Sequence, residues 1–144
     1  AYVPDQDITA PWWASKAEDW WKLAAENDYW QGGFIWTGFD YRGEPTPYKW
    51  PNVNSHFGIM DVCGFPKNLY YYYKSWWTDE DVIHISPHWN WSEKIGKPID
   101  VWVNYNADNV ELFLNHDNTF SFNNQNKTSY QNRQVYVLCC FWLR

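Results

Sequence analysis

Apolar positions along the 144-residue chain recur with two different periods, and the change between them divides it. In the first part the spacing is helical. Trp20, Leu23 and Ala24 share one face of a segment preceded by Ser15, with Glu18 at the spacing of a capping box, so a helix with that face against a sheet is expected. A second helix is expected from Pro66 to Trp77, opened by proline at its first position and carrying Tyr70, Tyr73 and Trp77 along one stripe, with Tyr71, Tyr72 and Trp76 beside it. Between them Gly32 and Gly33 lead into Phe34 to Thr37. That run lacks alternation, as expected of a strand covered on both faces. Phe57 to Met60 is a further short apolar run.

After the polar break Thr78 to Asp81 the period becomes two, which places a domain boundary near Asp79. Val82 to Ile85 reads as a strand stopped by Pro87. Ile99, Val101, Val103 and Tyr105 alternate with Asp100, Trp102 and Asn104, and Val110, Leu112 and Leu114 alternate with Glu111 and Phe113. Asn106 to Asn109 has the composition of a hairpin turn joining the last two strands. The expected organisation is thus an α/β part over residues 1–78 and a partial all-β sandwich over 79–144.

The loop from Phe39 to Ser55 carries the candidate chemistry. It holds Asp40, Arg42 and Glu44 among glycines and prolines, and loops of more than about 12 residues in a compact domain are usually functional. A buried strand that delivers polar and aromatic side chains to a loop at its C-terminal end is how a parallel α/β barrel presents an active site. A whole barrel of about 250 residues does not fit in this length.

Composition adds an excess of rings: 13 Trp, 11 Tyr and 8 Phe, which suit a core and equally suit stacking on the apolar faces of sugars. The net charge of −6, with Lys and Arg scattered, argues against nucleic acid as a partner. No apolar run of 18 residues or more is present to span a membrane. Cys63, Cys139 and Cys140 have no metal-ligand spacing and leave an odd thiol, so neither a disulfide framework nor a metal site is expected, and no residues point to a cofactor. No phosphate-binding glycine loop or serine nucleophile elbow occurs. Asn90 with Ser92 and Asn126 with Thr128 form glycosylation triplets.

Three stretches, GGFIWTGFDYRGEPTPYKWP from Gly32, NSHFGIMDVCGFPKNLYYYYKSWWTDEDVIHISPHWNW from Asn54, and IDVWVNYNADNVELFLN from Ile99, resemble glycoside hydrolase family 2 β-galactosidases. The resemblance runs from about Trp12 to Asn115. It implies the last helix, strand and helix of a catalytic TIM barrel and the opening strands of an immunoglobulin-like β-sandwich, hence a piece of a longer enzyme. By this resemblance the intact enzyme is a retaining hydrolase of terminal β-galactosides, and its partners here are the carbohydrate substrate and the remainder of the parent enzyme.

Asp40 and Glu44 would be the nominees for a carboxylate pair on spacing alone, but the resemblance puts both catalytic glutamates on earlier barrel strands, so no catalytic residue is expected in this chain. It gives Trp36 the role of an apolar surface for the sugar, and places Asn54 and His56 along the pocket. Asp40 either binds a sugar hydroxyl or holds the loop through an ion pair with Arg42, and an Arg42–Glu44 pair is a further alternative. His84 and His88 read as strand-end residues. The tail, with His116, departs from the family pattern into an Asn- and Gln-rich run and is expected to be divergent or out of frame. Rival readings are a non-catalytic carbohydrate-binding module and a purely structural piece.

Overall fold

The computed structural model describes residues 11–86, 98–114, 118–123 and 134–140. His88, His116 and both glycosylation triplets lie outside them. The chain forms two compact units, Ala1–Tyr70 and Tyr71–Arg144. Its elements are α1 (Ala17–Glu26), α2 (Asn68–Trp77), β1 (Ile83–Ser86), β2 (Pro98–Tyr105), β3 (Asn109–Leu114), β4 (Asn118–Asn123) and β5 (Gln134–Cys140).

In the first unit α1 begins one residue later than a capping box would require. Its N-cap is Lys16, with no side-chain hydrogen bond, which leaves Ser15 outside the cap. Glu18 and Asp19 in the first turn still complement the positive end of the helix dipole. At the other end Asn27 Nδ2 donates to the Leu23 carbonyl at 2.7 Å and satisfies one of the exposed last-turn acceptors. Leu23 is half exposed and Trp20 only partly buried, so the expected buried face of Trp20, Leu23 and Ala24 does not form; the buried residue of this helix is Ala17. A Cβ on Gly33 would stand 3.2 Å from the Trp20 ring, which explains a glycine where the chain passes the helix.

Phe34 to Thr37 does not form a strand, contrary to the sequence expectation. Strand geometry persists only where N–H and C=O groups find a ladder, and no neighbouring segment among the described residues lies beside Phe34, which is fully exposed. Pairing starts at Thr37 instead. The Thr37 N–H donates to Phe57 O and the Ile59 N–H to Thr37 O, both at 3.0 Å. Met60 N–H to Gly38 O at 3.0 Å and Asp40 N–H to Met60 O at 2.9 Å continue it, with a parallel bridge between Phe39 and Met60.

The intervening loop is therefore an excursion closed at its base. Its flanks pair antiparallel through Arg42 and Asn54, with Gly43 N–H to Val53 O at 2.8 Å and Ser55 N–H to Tyr41 O at 2.7 Å. The run Phe57 to Met60 is one side of that closure. Next, the Asp61 carboxylate accepts from the Cys63 and Phe65 N–H groups at 2.8 and 2.9 Å and folds a tight turn. Because Pro66 bridges Met60 and the Lys67 N–H donates to Ile59 O at 2.9 Å, α2 starts at Asn68 and not at Pro66.

The second unit contains two antiparallel sheets, ordered β1-β2-β5 and β3-β4. Ile85 pairs with Val103, Val103 with Val135, and Leu112 with Phe120. Alternate residues of β2 and β3 (Val101, Val103, Tyr105, Val110, Leu112) are buried, and Val103, Tyr105 and Val110 form one cluster, so the apolar faces of the two sheets meet. Each such side chain contributes about 1.5–3 kcal/mol on burial.

Two expectations are corrected here. Asn106 to Asn109 is not a hairpin turn: β2 and β3 belong to different sheets, since β1 and β5 occupy both edges of β2. Asn106 serves the chain before β1 instead, accepting from the Val82 N–H at 2.8 Å and donating to Glu80 O at 2.7 Å and Thr78 O at 3.3 Å. The tail is not lost to the fold either. β4 pairs along the whole of β3, and β5 pairs with β2 from Pro98↔Cys140 to Asn104↔Gln134.

Candidate functional site

The expected site residues fall into two groups that differ in what holds them. The first surrounds Trp36, whose side chain is 70% exposed although indole is among the most apolar surfaces a protein has. The Tyr41 ring stands edge-on to it with centroids 6.3 Å apart, and Phe57 lies beyond, 6.4 Å from Tyr41. The Tyr41 hydroxyl donates a short hydrogen bond to Glu44 Oε2. That acceptor is the main reason the phenol is held above its ordinary pKa, with burial adding and the Trp36 indole N–H, donating to the same oxygen, pulling the other way. Trp36, Tyr41 and Glu44 are thus linked in series on the exposed side of the loop.

The second group lies inside the loop base. Asp40 is buried, and its Oδ1 accepts from Lys67 Nζ at 2.8 Å and from the Gly58 N–H at 2.8 Å. Both side chains of the ion pair are only 5% exposed. The expected partner, Arg42, is exposed and makes no ion pair with either Asp40 or Glu44. Asp40 points to Lys67, the residue before α2, while Arg42 sits on the antiparallel flank opposite Asn54. Gly58 is required here: a Cβ would come within 2.2 Å of the Asp40 nitrogen and 2.4 Å of Met60 O.

His56 sits next to this base. Its ring meets Tyr48 edge-on at 4.7 Å, and both Nδ1 and Nε2 are buried without a hydrogen-bond partner among the described residues. Burial holds its pKa below the ordinary imidazole range, with Asp40 opposing and Lys67 reinforcing the shift. It is therefore neutral near pH 7, with one donor and one acceptor unspent. The Asn54 carbonyl accepts from Asn52 Nδ2 at 2.9 Å, which stiffens the far flank of the loop.

Sequence reasoning named Trp36, Asp40, Arg42, Glu44, Asn54 and His56 in and beside the loop from Phe39 to Ser55, and backbone pairing at Thr37–Phe57 and Arg42–Asn54 brings their segments together. It missed Lys67, Gly58 and the linking role of Tyr41. A buried lysine has no local sequence signal, and Gly58 stands in an apolar run where a glycine is an anomaly that can be read as close backbone approach. Among the described residues no group of three His, Cys, Asp or Glu is placed to hold a metal ion, and no helix is long and apolar enough to cross a membrane. His84 stands near the start of β1, as expected of a strand-end residue, and its ring stacks on Tyr71 of α2 at 3.7 Å.

Comparison with known proteins gives consistent findings. A family model described as "Domain of unknown function (DUF4982)" matches residues 96–137, which extends into the tail that looked divergent. The chain is 55% identical over 104 residues to "Beta-galactosidase BoGH2A" of Bacteroides ovatus, covering 72% of this chain and 12% of that protein. It is 45% identical over 102 residues to a "Putative beta-glucuronidase" of Formosa agariphila, covering 69% of this chain and 10% of the other. Among solved structures, a β-glycosidase from Bacteroides vulgatus superposes with a TM-score of 0.74 at 35% identity, over 88% of this chain and 15% of that one. The chain thus spans about an eighth or less of the length of these curated relatives.

Proposed function

The chain belongs to glycoside hydrolase family 2, and from that premise we propose that it supplies one wall of the sugar pocket in a longer retaining enzyme that hydrolyses terminal β-galactosides. In this reading residues 1–78 are the last helix, strand and helix of a TIM barrel, and 79–144 are part of an immunoglobulin-like sandwich. The strand neighbours of Phe34 and Ile35 come from the rest of the barrel, which accounts for the full exposure of Phe34.

The observation that carries the proposal is Trp36: an indole left 70% exposed yet braced by Tyr41. A braced, outward indole offers a flat apolar surface to the C–H face of a pyranose and excludes water from one side of it. Asn54 and Arg42 complete the rim of the loop, while His56, whose ring nitrogens are buried, packs edge-on against Tyr48 of the same loop.

Retaining hydrolysis needs two carboxyl groups about 5–5.5 Å apart, one as acid and one as nucleophile. Asp40 is committed to Lys67 and Gly58, and Glu44 to Tyr41, so neither carboxylate serves, and the catalytic pair is contributed from elsewhere in the longer protein. Galactose is favoured over a uronate by the higher identity to the β-galactosidase, 55% against 45% for the putative β-glucuronidase.

The test is a titration of the chain with methyl β-galactoside followed by tryptophan fluorescence. A saturable change, with a dissociation constant on the order of millimolar, that disappears in Trp36→Ala supports the proposal. No saturable response, or one that survives Trp36→Ala, contradicts it. Hydrolysis of a chromogenic β-galactoside by this chain alone, abolished in Asp40→Asn or Glu44→Gln, contradicts the assignment of catalysis to residues outside it.

A further inference from the structure

We propose that Glu44 is a positioning residue for the sugar platform, acting through Tyr41 to fix the orientation of Trp36. The inference rests on the reading of Trp36 as that platform and goes beyond it. Exposed by 70%, the Trp36 ring has little packing to hold it, so its orientation depends on few contacts. Tyr41 supplies one at the ring edge and accepts from the indole N–H, and the Tyr41 hydroxyl is in turn fixed by the Glu44 carboxylate. A hydroxyl that accepts from one neighbour and donates to another has a single preferred rotation, and a charged acceptor strengthens the bond that sets it.

The backbone supplies an independent observation. Glu44 has φ +45, in the left-handed region that a side chain disfavours, directly after Gly43 at φ +96. Turn formation alone is met at lower cost by glycine at such a position. A glutamate there trades local backbone strain for its carboxylate, and the contact that carboxylate makes is the Tyr41 hydroxyl.

The arrangement separates positioning from stability, which makes the two experimentally distinct. Glu44→Gly removes the acceptor and relieves the backbone, so thermal stability is expected to stay the same or rise, while affinity for methyl β-galactoside falls about 3- to 10-fold. Tyr41→Phe is expected to lose a similar factor, and Glu44→Gln, which keeps an acceptor, to retain most of the affinity. Spectrophotometric titration of the tyrosines, taken as a difference from Tyr41→Phe, reads the link without sugar: the Tyr41 phenol ionises at lower pH in Glu44→Gly than in the parent chain.

Binding by the parent chain that is undiminished in Glu44→Gly, or an unmoved Tyr41 titration, overturns the positioning role and leaves the platform standing. A fall in affinity that tracks a fall in thermal stability also overturns it, in favour of a structural role. Absence of any galactoside binding by the parent chain, with Tyr41 still shifted by Glu44→Gly, overturns the platform and the positioning role together.

Discussion

At the scale of single residues, the loop is organised by a buried charge pair that no local pattern announces. Removing one partner of such a pair leaves the other uncompensated, so Lys67→Met is expected to cost about 3–5 kcal/mol in urea denaturation. The double variant Asp40→Asn/Lys67→Met should recover part of that loss, because the asparagine carbonyl still accepts from the Gly58 N–H. Histidine gives a second expectation. Burial holds His56 and His84 below the ordinary value of about 6.5. The unfolded chain then takes up protons before the folded one, so their contribution to stability is complete above about pH 6.5 and is lost as pH falls through the folded values. A His56→Gln/His84→Gln variant should show a flatter decline between pH 7 and 5 in thermal melts; an unchanged slope would remove these residues from the account. In the sequence Asp40 was legible as a candidate because it stands in a long loop rich in glycine and proline, and His56 through the family resemblance. Their partners were not, since Lys67 lies 27 positions away from Asp40 and is brought to it only by the turn at Asp61.

At the scale of elements, periodicity identified what is repeated and failed where a partner decides the outcome. Both helices and β1 to β3 were visible from period alone, within two residues at their ends. The capping box failed because the helix register depends on where its first turn packs, and buried Ala17 sets that start. This leaves an uncapped N-terminus that can be improved: Lys16→Asp should add about 0.5–2 kcal/mol in thermal unfolding, and no gain would mean that α1 does not begin at Ala17. The hairpin between β2 and β3 failed for a different reason. Turn composition says that the chain reverses, not which edge the next strand joins, and the side chain of Asn106 is spent on Thr78, Glu80 and Val82. β4 and β5 were missed because they stand in an Asn- and Gln-rich tail taken as divergent, although NTFSFN alternates at Phe120 and Phe122 and QVYVLCC is an apolar run; their register is set by β3 and β2.

At the scale of the whole molecule, the exposed rings are the main departure from a self-contained domain. Trp12, Phe34, Trp50 and Phe65 are each more than two-thirds exposed, and surfaces of this kind are sites of contact. Trp36 is likewise exposed, and it differs in the chain of contacts behind it, through the Tyr41 ring to the Glu44 carboxylate. Resemblance in sequence located the loop and the family, and the fold then separated the carboxylates that brace it from the ring that it presents. The most direct test is to follow the indole N–H resonances of the ¹⁵N-labelled chain during titration with methyl β-galactoside, with Trp36 assigned by Trp36→Phe. A Trp36 resonance that shifts progressively to saturation, while Trp12 and Trp50 stay in place, is the expected result. Uniform small shifts of all exposed indoles, or a stationary Trp36, would contradict the account.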